Sequence, residues 1–288
     1  MTKIYTKLFG FLEIGDDFPT IIMSVINLSP ESFYQGSVYH NSKTLKKATM
    51  SMIKNGAKIL DIGARSTAPW SKKISVQEEI NRIIPAMENV CDIISDNIII
   101  SVDTQYREVA KKAYEISQTY KKKILINDVS CLKTDPSLIE FVCEENIPII
   151  LMASKEIPGD LLTIGEIIKE LEKTITLLKD KGYDEKNIIL DPGIGKWIQN
   201  KEPKYDIAII DNLEELRELN RPILIAISRK SFIGSILEIP EPEKRLNGTL
   251  ATTAIAVYNG AHIVRTHDVT PQLTEIIKMA KAIRGSKR

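Results

Sequence analysis

The chain of 288 residues has little of what would tie it to a nucleic acid, a membrane or an oxidising compartment. Its 39 lysines and arginines are offset by 38 aspartates and glutamates, a net charge of +1. There is no basic field to attract a phosphate backbone, so no nucleic-acid partner is expected. The apolar stretches fall short of the ~18 residues that argue for a membrane span, and the N-terminus lacks the basic-then-apolar order of a signal peptide. A cytoplasmic enzyme with no membrane partner is expected. The 3 cysteines, Cys91, Cys131 and Cys143, are odd in number and form no C-x-x-C pair, which excludes a disulfide framework and favours buried thiols. The 3 histidines, His40, His262 and His267, are not spaced as metal ligands. Low-complexity tracts, internal repeats and composition shifts are absent too, so one domain over residues 1–288 is expected.

What the chain does have is eight short β-branched runs: Ile21 to Ile26, Ile59 to Ile62, Ile98 to Val102, Ile124 to Ile126, Ile147 to Met152, Ile188 to Leu190, Ile223 to Ile227, and Ile263 to Val264. They are too short for buried helices and too apolar for half-exposed strands, so each reads as a parallel strand covered on both faces. The segments between them carry helical periodicity. Ile164, Ile167, Ile168, Leu171, Ile175 and Leu178 form one stripe; Leu273, Ile276, Ile277, Ala280 and Ile283 form another, with Pro271 in the first turn and Gly285 past the end. Ser75 and Glu78 have capping-box spacing. Eightfold alternation of this kind predicts a (β/α)8 TIM barrel over residues 20–288, with an open doubly wound sheet as the alternative. Residues 1–19 alternate apolar and polar and read as an N-terminal hairpin plugging the barrel floor.

Polar residues follow nearly every run. In a parallel barrel all strand C-termini open on one face, so side chains spread over roughly 240 positions can meet in one pocket. Each also has an ordinary reading. Asp103 and Asp128 are acceptable helix caps, Asp191-Pro192-Gly193 is an acceptable turn, Asn27 is an acceptable loop residue, and Arg65 and Lys230 are acceptable surface charges. Their joint order across the strand ends is what chance capping does not reproduce. The ends read Asn27-Leu28-Ser29-Pro30-Glu31-Ser32-Phe33, Asp61-Ile62-Gly63-Ala64-Arg65-Ser66-Thr67-Ala68-Pro69, Ser101-Val102-Asp103-Thr104 and Ile126-Asn127-Asp128-Val129. They continue with Leu190-Asp191-Pro192-Gly193-Ile194-Gly195, Ser228-Arg229-Lys230-Ser231-Phe232-Ile233-Gly234 and Val264-Arg265-Thr266-His267-Asp268-Val269. Taken in this order they resemble the dihydropteroate synthases, the pterin-binding barrel family of folate biosynthesis, from about Thr20 to the last helix.

The resemblance implies a transferase that joins 6-hydroxymethyl-7,8-dihydropterin pyrophosphate to the amine of 4-aminobenzoate and releases pyrophosphate. On that footing Asp103, Asn127, Asp191 and Lys230 grip the pterin edge, with Asp103, Lys230 and Asn127 the catalytic set. The carboxylates accept the ring and exocyclic N–H groups, the amide serves both kinds of partner, and the ammonium faces the carbonyl side. Asn27, Thr67, Arg265 and His267 take the pyrophosphate, with Asn27 ligating Mg²⁺. Arg265 and His267 share a strand face because Thr266 separates them. Ser231, Phe33 and Thr67 take the arylamine. A homodimer packed through the later helices, near Leu250 to Tyr258 and Leu273 to Ile283, is implied as well.

Two loops depart from the family pattern. The common first loop reads like N-x-T-P-D-S-F-S-D-G, whereas here Glu31 takes the first acidic position and Gln35 the second. The common second loop ends S-T-R-P, whereas here it is Ser66-Thr67-Ala68-Pro69, with Arg65 the nearest remaining guanidinium. These changes fall on the acceptor side and point to a modified arylamine as the acceptor, for instance a larger aminobenzene derivative. Two other functions remain open on the sequence: a pterin-dependent methyltransferase acting on a corrinoid protein, and a non-catalytic pterin-binding paralogue.

Overall fold

The computed structural model describes residues 3–29, 36, 39, 41–66 and 71–286. The first two strands, β1 (Tyr5–Leu8) and β2 (Leu12–Gly15), pair antiparallel as the expected hairpin. Its turn places Phe9 and Gly10 at positive φ.

Eight parallel strands follow: β3 (Ile21–Asn27), β4 (Ala57–Gly63), β5 (Ile99–Asp103), β6 (Lys123–Asp128), β7 (Ile149–Met152), β8 (Ile188–Asp191), β9 (Leu224–Ile225) and β10 (Ile263–Thr266). Their order is β8-β7-β6-β5-β4-β3-β10-β9. A parallel bridge between Leu190 and Ile223 brings β9 back to β8 and closes the barrel, so the open sheet is excluded. The helices among the described residues are α1 (Ser42–Lys54), α2 (Val76–Cys91), α3 (Arg107–Thr119), α4 (Ser137–Glu144), α5 (Ile164–Asp180), α6 (Pro203–Asp211), α7 (Ser231–Leu237), α8 (Leu246–Tyr258) and α9 (Pro271–Gly285).

Each strand is buried on both faces, for two different reasons. Leu60, Ile62, Ile100, Val102, Ile126 and Leu190 point outward and pack with the helices. Ile59, Ile99, Leu125, Ile150, Ile189, Leu224 and Ile263 point inward and fill the lower barrel together with Leu8, Leu12 and Ile14 of the hairpin. Because side chains alternate, the inward positions two residues further on are Asp61, Ser101, Asn127, Asp191 and Arg265. The apolar floor thus ends where the polar residues begin.

The hairpin is also held by charge. Asp16, just past β2, receives Nη1 and Nη2 of Arg217 at 2.8 Å each, with both side chains almost wholly buried. His262 Nδ1 accepts the Ile223 amide at 3.1 Å, which leaves Nε2–H for Asp16 at 3.4 Å. Burial lowers the pKa of His262 and keeps it neutral.

Several local expectations are revised. The run from Ile223 to Ile227 forms a strand of only two residues, β9, with Ile223 bridging to Leu190 just before it. Ser75 caps α2 through the Glu78 amide at 3.1 Å, but the Glu78 carboxylate pairs with Arg82 at 2.7 Å. The reciprocal capping box forms instead at Thr163 and Glu166 of α5. On α9 Ile283 faces solvent, and Arg284 takes the buried place by donating to Tyr258 O and, at 2.9 Å, to Glu214. Gly285 is the last helical residue rather than the one beyond. Cys91 and Cys131 are buried and Cys143 is half-buried.

The floor packing makes a direct prediction. Leu8→Ala should cost about 2–5 kcal/mol of unfolding free energy in urea titration, the range for a large-to-small change in a packed core. A loss within about 0.5 kcal/mol, as for a surface site, would show that the hairpin is not part of the core.

Candidate active site

Above the apolar floor the barrel opens into a cavity of about 370 Å³. Its polar residues come from the ends of β3, β4, β5, β6, β8, β9 and β10. At its base lies a set of charges. Asp61 of β4 is fully buried and accepts from Ser101 Oγ at 2.6 Å and Arg265 Nε at 2.6 Å, and the Asn127 amide nitrogen lies 3.3 Å from it. Arg265 Nη2 reaches across to Asp103 at 3.0 Å. One guanidinium is therefore shared between two carboxylates on neighbouring strands.

That sharing shapes the electrostatics. Burial, with the charge of Asp61 second, pushes the Asp103 carboxyl up to about 8 against the opposing pull of Arg265. Its side chain keeps 17 % exposure at the mouth, where water moderates the effect. Gly63 stands beside it, and a Cβ there would lie 3.3 Å from Asp103. A side chain at position 63 would crowd the carboxylate.

On the other wall Lys230 extends from the turn after β9. Its Nζ donates to Ile194 O and lies 4.9 Å above the Trp197 ring. Burial lowers its pKa to about 8, with the Asp191 charge opposing. Asp191 at the end of β8 accepts the Gly193 amide at 2.8 Å, so it does form the expected turn while also lining the cavity. Burial raises its carboxyl, and Lys230 works against that rise. Gly195 has φ +122°, and a Cβ there would fall 2.8 Å from Lys230 Cδ. Glycine leaves the space through which the lysine passes.

His267 stands at the third corner. Its Nδ1 lies 2.9 Å from Ser228 Oγ, and burial together with Arg265, Arg229 and Lys230 lowers its pKa well below 6.5. It is neutral at pH 7, a hydrogen-bonding group rather than a cation. Asn27 and Ser231 line the same cavity, Asn27 from the end of β3 and Ser231 from the first turn of α7.

The cavity thus gathers Asn27, Asp103, Asn127, Asp191, Lys230, Ser231, Arg265 and His267. Phe33 and Thr67, with Glu31, Gln35 and Ala68, lie outside the described residues. Asp128 points away from the cavity and accepts from the Ser130 and Leu132 amides, which makes it a turn former. Arg229 is held by Asp268 at 2.7 Å. Sequence reasoning passes over Asp61, Trp197 and Arg245, of which the last two also line the cavity. For Asp61 a signal exists, since it stands two residues before Gly63 and two after Ile59, on the inward face.

The pterin binding enzyme family model matches residues 23–267. Dihydropteroate synthase of Bacillus subtilis (strain 168) is 36% identical over 264 residues, covering 92% of this chain and 88% of that protein. The structure of a dihydropteroate synthase from Coxiella burnetii in complex with pteroic acid superposes with TM-score 0.83 at 31% identity, covering 98% of this chain and 99% of that one. Xanthomonas albilineans dihydropteroate synthase with 4-aminobenzoic acid gives 0.81 at 27% identity, covering 98% and 99%. With its barrel, its hairpin and the charged cavity at the strand ends, this chain belongs to the pterin-binding enzyme family and, within it, to the dihydropteroate synthases.

Proposed function

We infer that the protein is a dihydropteroate synthase, a transferase that condenses 6-hydroxymethyl-7,8-dihydropterin pyrophosphate with 4-aminobenzoate or a related arylamine and releases pyrophosphate. The observation that carries this is the division of one cavity into two chemistries. Asp103, Asn127, Asp191 and Lys230 come from β5, β6, β8 and the turn after β9; Asn27, Arg265 and His267 come from the adjacent strands β3 and β10.

The first group suits a flat heterocycle with donors and acceptors along one edge. Asp191 and Asp103 accept N–H donors, Asn127 has its amide oriented by Asp61, and Lys230 donates to the carbonyl side. Buried polar groups of this kind reject a ligand that cannot match them, by as much as ~10⁴–10⁵. When the bond from the pterin methylene to diphosphate breaks, its electron pair leaves with the diphosphate and positive charge stays on the pterin. A carboxylate ~4 Å from that charge, at an effective dielectric near 20, contributes about 4 kcal/mol. In its ionised form Asp103 is proposed to take this role. The arylamine nitrogen then attacks the methylene and gives up a proton, with Ser231 as a contact for its carboxylate.

Mg²⁺ is proposed to arrive with the diphosphate. Among the described residues no three His, Cys, Asp or Glu side chains converge on a metal site, and Asn27 supplies a neutral oxygen. That donor set fits a hard cation whose shell is completed by phosphate and water. When bound, the ion would neutralise charge on the leaving group. Exposure of Ile255, Met279 and Ile283 on α8 and α9 supports a homodimer through those helices. No described helix is long and apolar enough to cross a membrane.

Pyrophosphate release from the pterin substrate, measured with 4-aminobenzoate and a panel of larger arylamines, tests the reaction. Release with at least one amine is expected, and Asp103→Ala should lower the rate by about 10²–10³ while the melting transition persists. No release with any amine would end the proposal. The pH profile of kcat/KM should be bell-shaped. Asp103, with its pKa raised, is protonated in the free enzyme below about 8 and becomes useful as pH rises. Lys230, with its pKa lowered, sheds its proton above about 8. Asp103→Asn should remove the acid limb from whatever activity is left, and an unchanged profile would count against its role. Lys230→Met should raise KM for the pterin at least about tenfold, because a ligand that loses one charge-assisted contact weakens by that order. An unchanged KM would show that Lys230 does not hold the pterin.

A further inference from the structure

A cation on the cavity wall has no task in the synthase reaction as far as the other residues carry it. Arg65 lies two residues beyond Gly63 at the end of β4 and lines the cavity. Its guanidinium is fixed on three sides. Nε donates to Glu79 Oε2 at 2.6 Å, Nη1 donates to Ile74 O at 2.7 Å, and Cζ lies 4.9 Å from the Tyr106 ring centroid. Glu79, itself fully buried, is steadied by Thr104 Oγ1 at 2.7 Å. Nη2 is different: it is enclosed and has no hydrogen-bond partner among the described residues.

A buried donor left unmade is costly, and a guanidinium edge held in place by its other nitrogens is preorganised to receive an oxyanion. Position around the barrel says which one. Gly63 is in register with Asn27 of β3, and β3 pairs in turn with β10, which carries Arg265. Gly63 is equally in register with Asp103 of β5, and Tyr106 beside Arg65 follows that strand, so Arg65 stands between Asn27 and Asp103 and further round the barrel from Asp191 and Lys230. On the Asn27 side Arg265 is already engaged by two carboxylates and His267 is neutral, so an arriving diphosphate needs a further donor.

We propose that Arg65 is a substrate-binding residue that donates Nη2 to the terminal phosphate of the diphosphate. This rests on the synthase reaction inferred above. The test is calorimetric titration of the full chain with inorganic pyrophosphate and Mg²⁺, beside steady-state kinetics. Arg65→Ala alone would strand the buried Glu79 charge, so two other variants are used. Arg65→Lys keeps the ion pair and lacks the Nη2 edge, while the double variant Arg65→Gln with Glu79→Gln removes both charges. Both should bind pyrophosphate at least about tenfold more weakly and show a parallel rise in KM for the pterin pyrophosphate, with KM for the arylamine within about twofold of wild type. Pyrophosphate affinity unchanged in either folded variant overturns the proposal. A rise confined to KM for the arylamine overturns it as well, since Arg65 would then serve the aryl carboxylate. A wild-type protein that binds pyrophosphate, loses that binding in both variants and yet turns over no pterin substrate would sink the synthase reading while leaving Arg65 as an anion ligand.

Discussion

One guanidinium between two carboxylates is the constraint on which the cavity depends. Asp61 is wholly buried, and Asp103 stands on the next strand, near enough that its charge is felt. Two such acids do not readily share a low-dielectric pocket in ionised form. Arg265 bonds to both and opposes the rise of Asp103, which burial and the Asp61 charge still carry up to about 8. The same Asp61 accepts from Ser101 and lies within reach of Asn127, so the ion pair also fixes the face that Asn127 turns to a ligand. Electrostatic neutrality and ligand geometry thus have one origin.

The barrel makes this arrangement possible. Ten apolar side chains of the barrel and three of the hairpin pack the lower half, which lets the upper half hold polar groups whose burial costs stability. Strand alternation carries the chain from one regime to the other within two residues, from Ile59 to Asp61 and from Ile263 to Arg265. The turns above are built for access. Gly195 clears a path for Lys230, and Gly63 leaves room for Asp103.

Much of this is legible in the amino-acid sequence. Eight β-branched runs separated by helical periodicity indicate a barrel because few other folds use that alternation, and residues just past the runs converge because parallel strands share an open end. Asp103, Asn127, Asp191, Lys230, Arg265 and His267 can be named on that basis. Asp61 escapes because it sits within its strand, where a carboxylate looks like a misplaced core residue until its partner 204 positions away is known. The neutrality of His267 cannot be read either, since it arises from burial among cations that only folding brings together. Ile283 and Arg284 exchange places for a similar reason. Arg284 finds carbonyl and carboxylate partners on α8 and near α6, and helical periodicity does not report partners.

The most direct measurement is a double-mutant cycle on Asp61→Asn and Arg265→Met, read from unfolding free energies in urea at pH 7. Each single change should be severe, about 3–5 kcal/mol, because it leaves the other charge buried without its partner. The double variant should cost less than the sum by at least about 2 kcal/mol, well beyond the additivity error of about 0.5 kcal/mol. Additive losses would mean that the two charges do not depend on one another, and the shared guanidinium would not be what holds the cavity together.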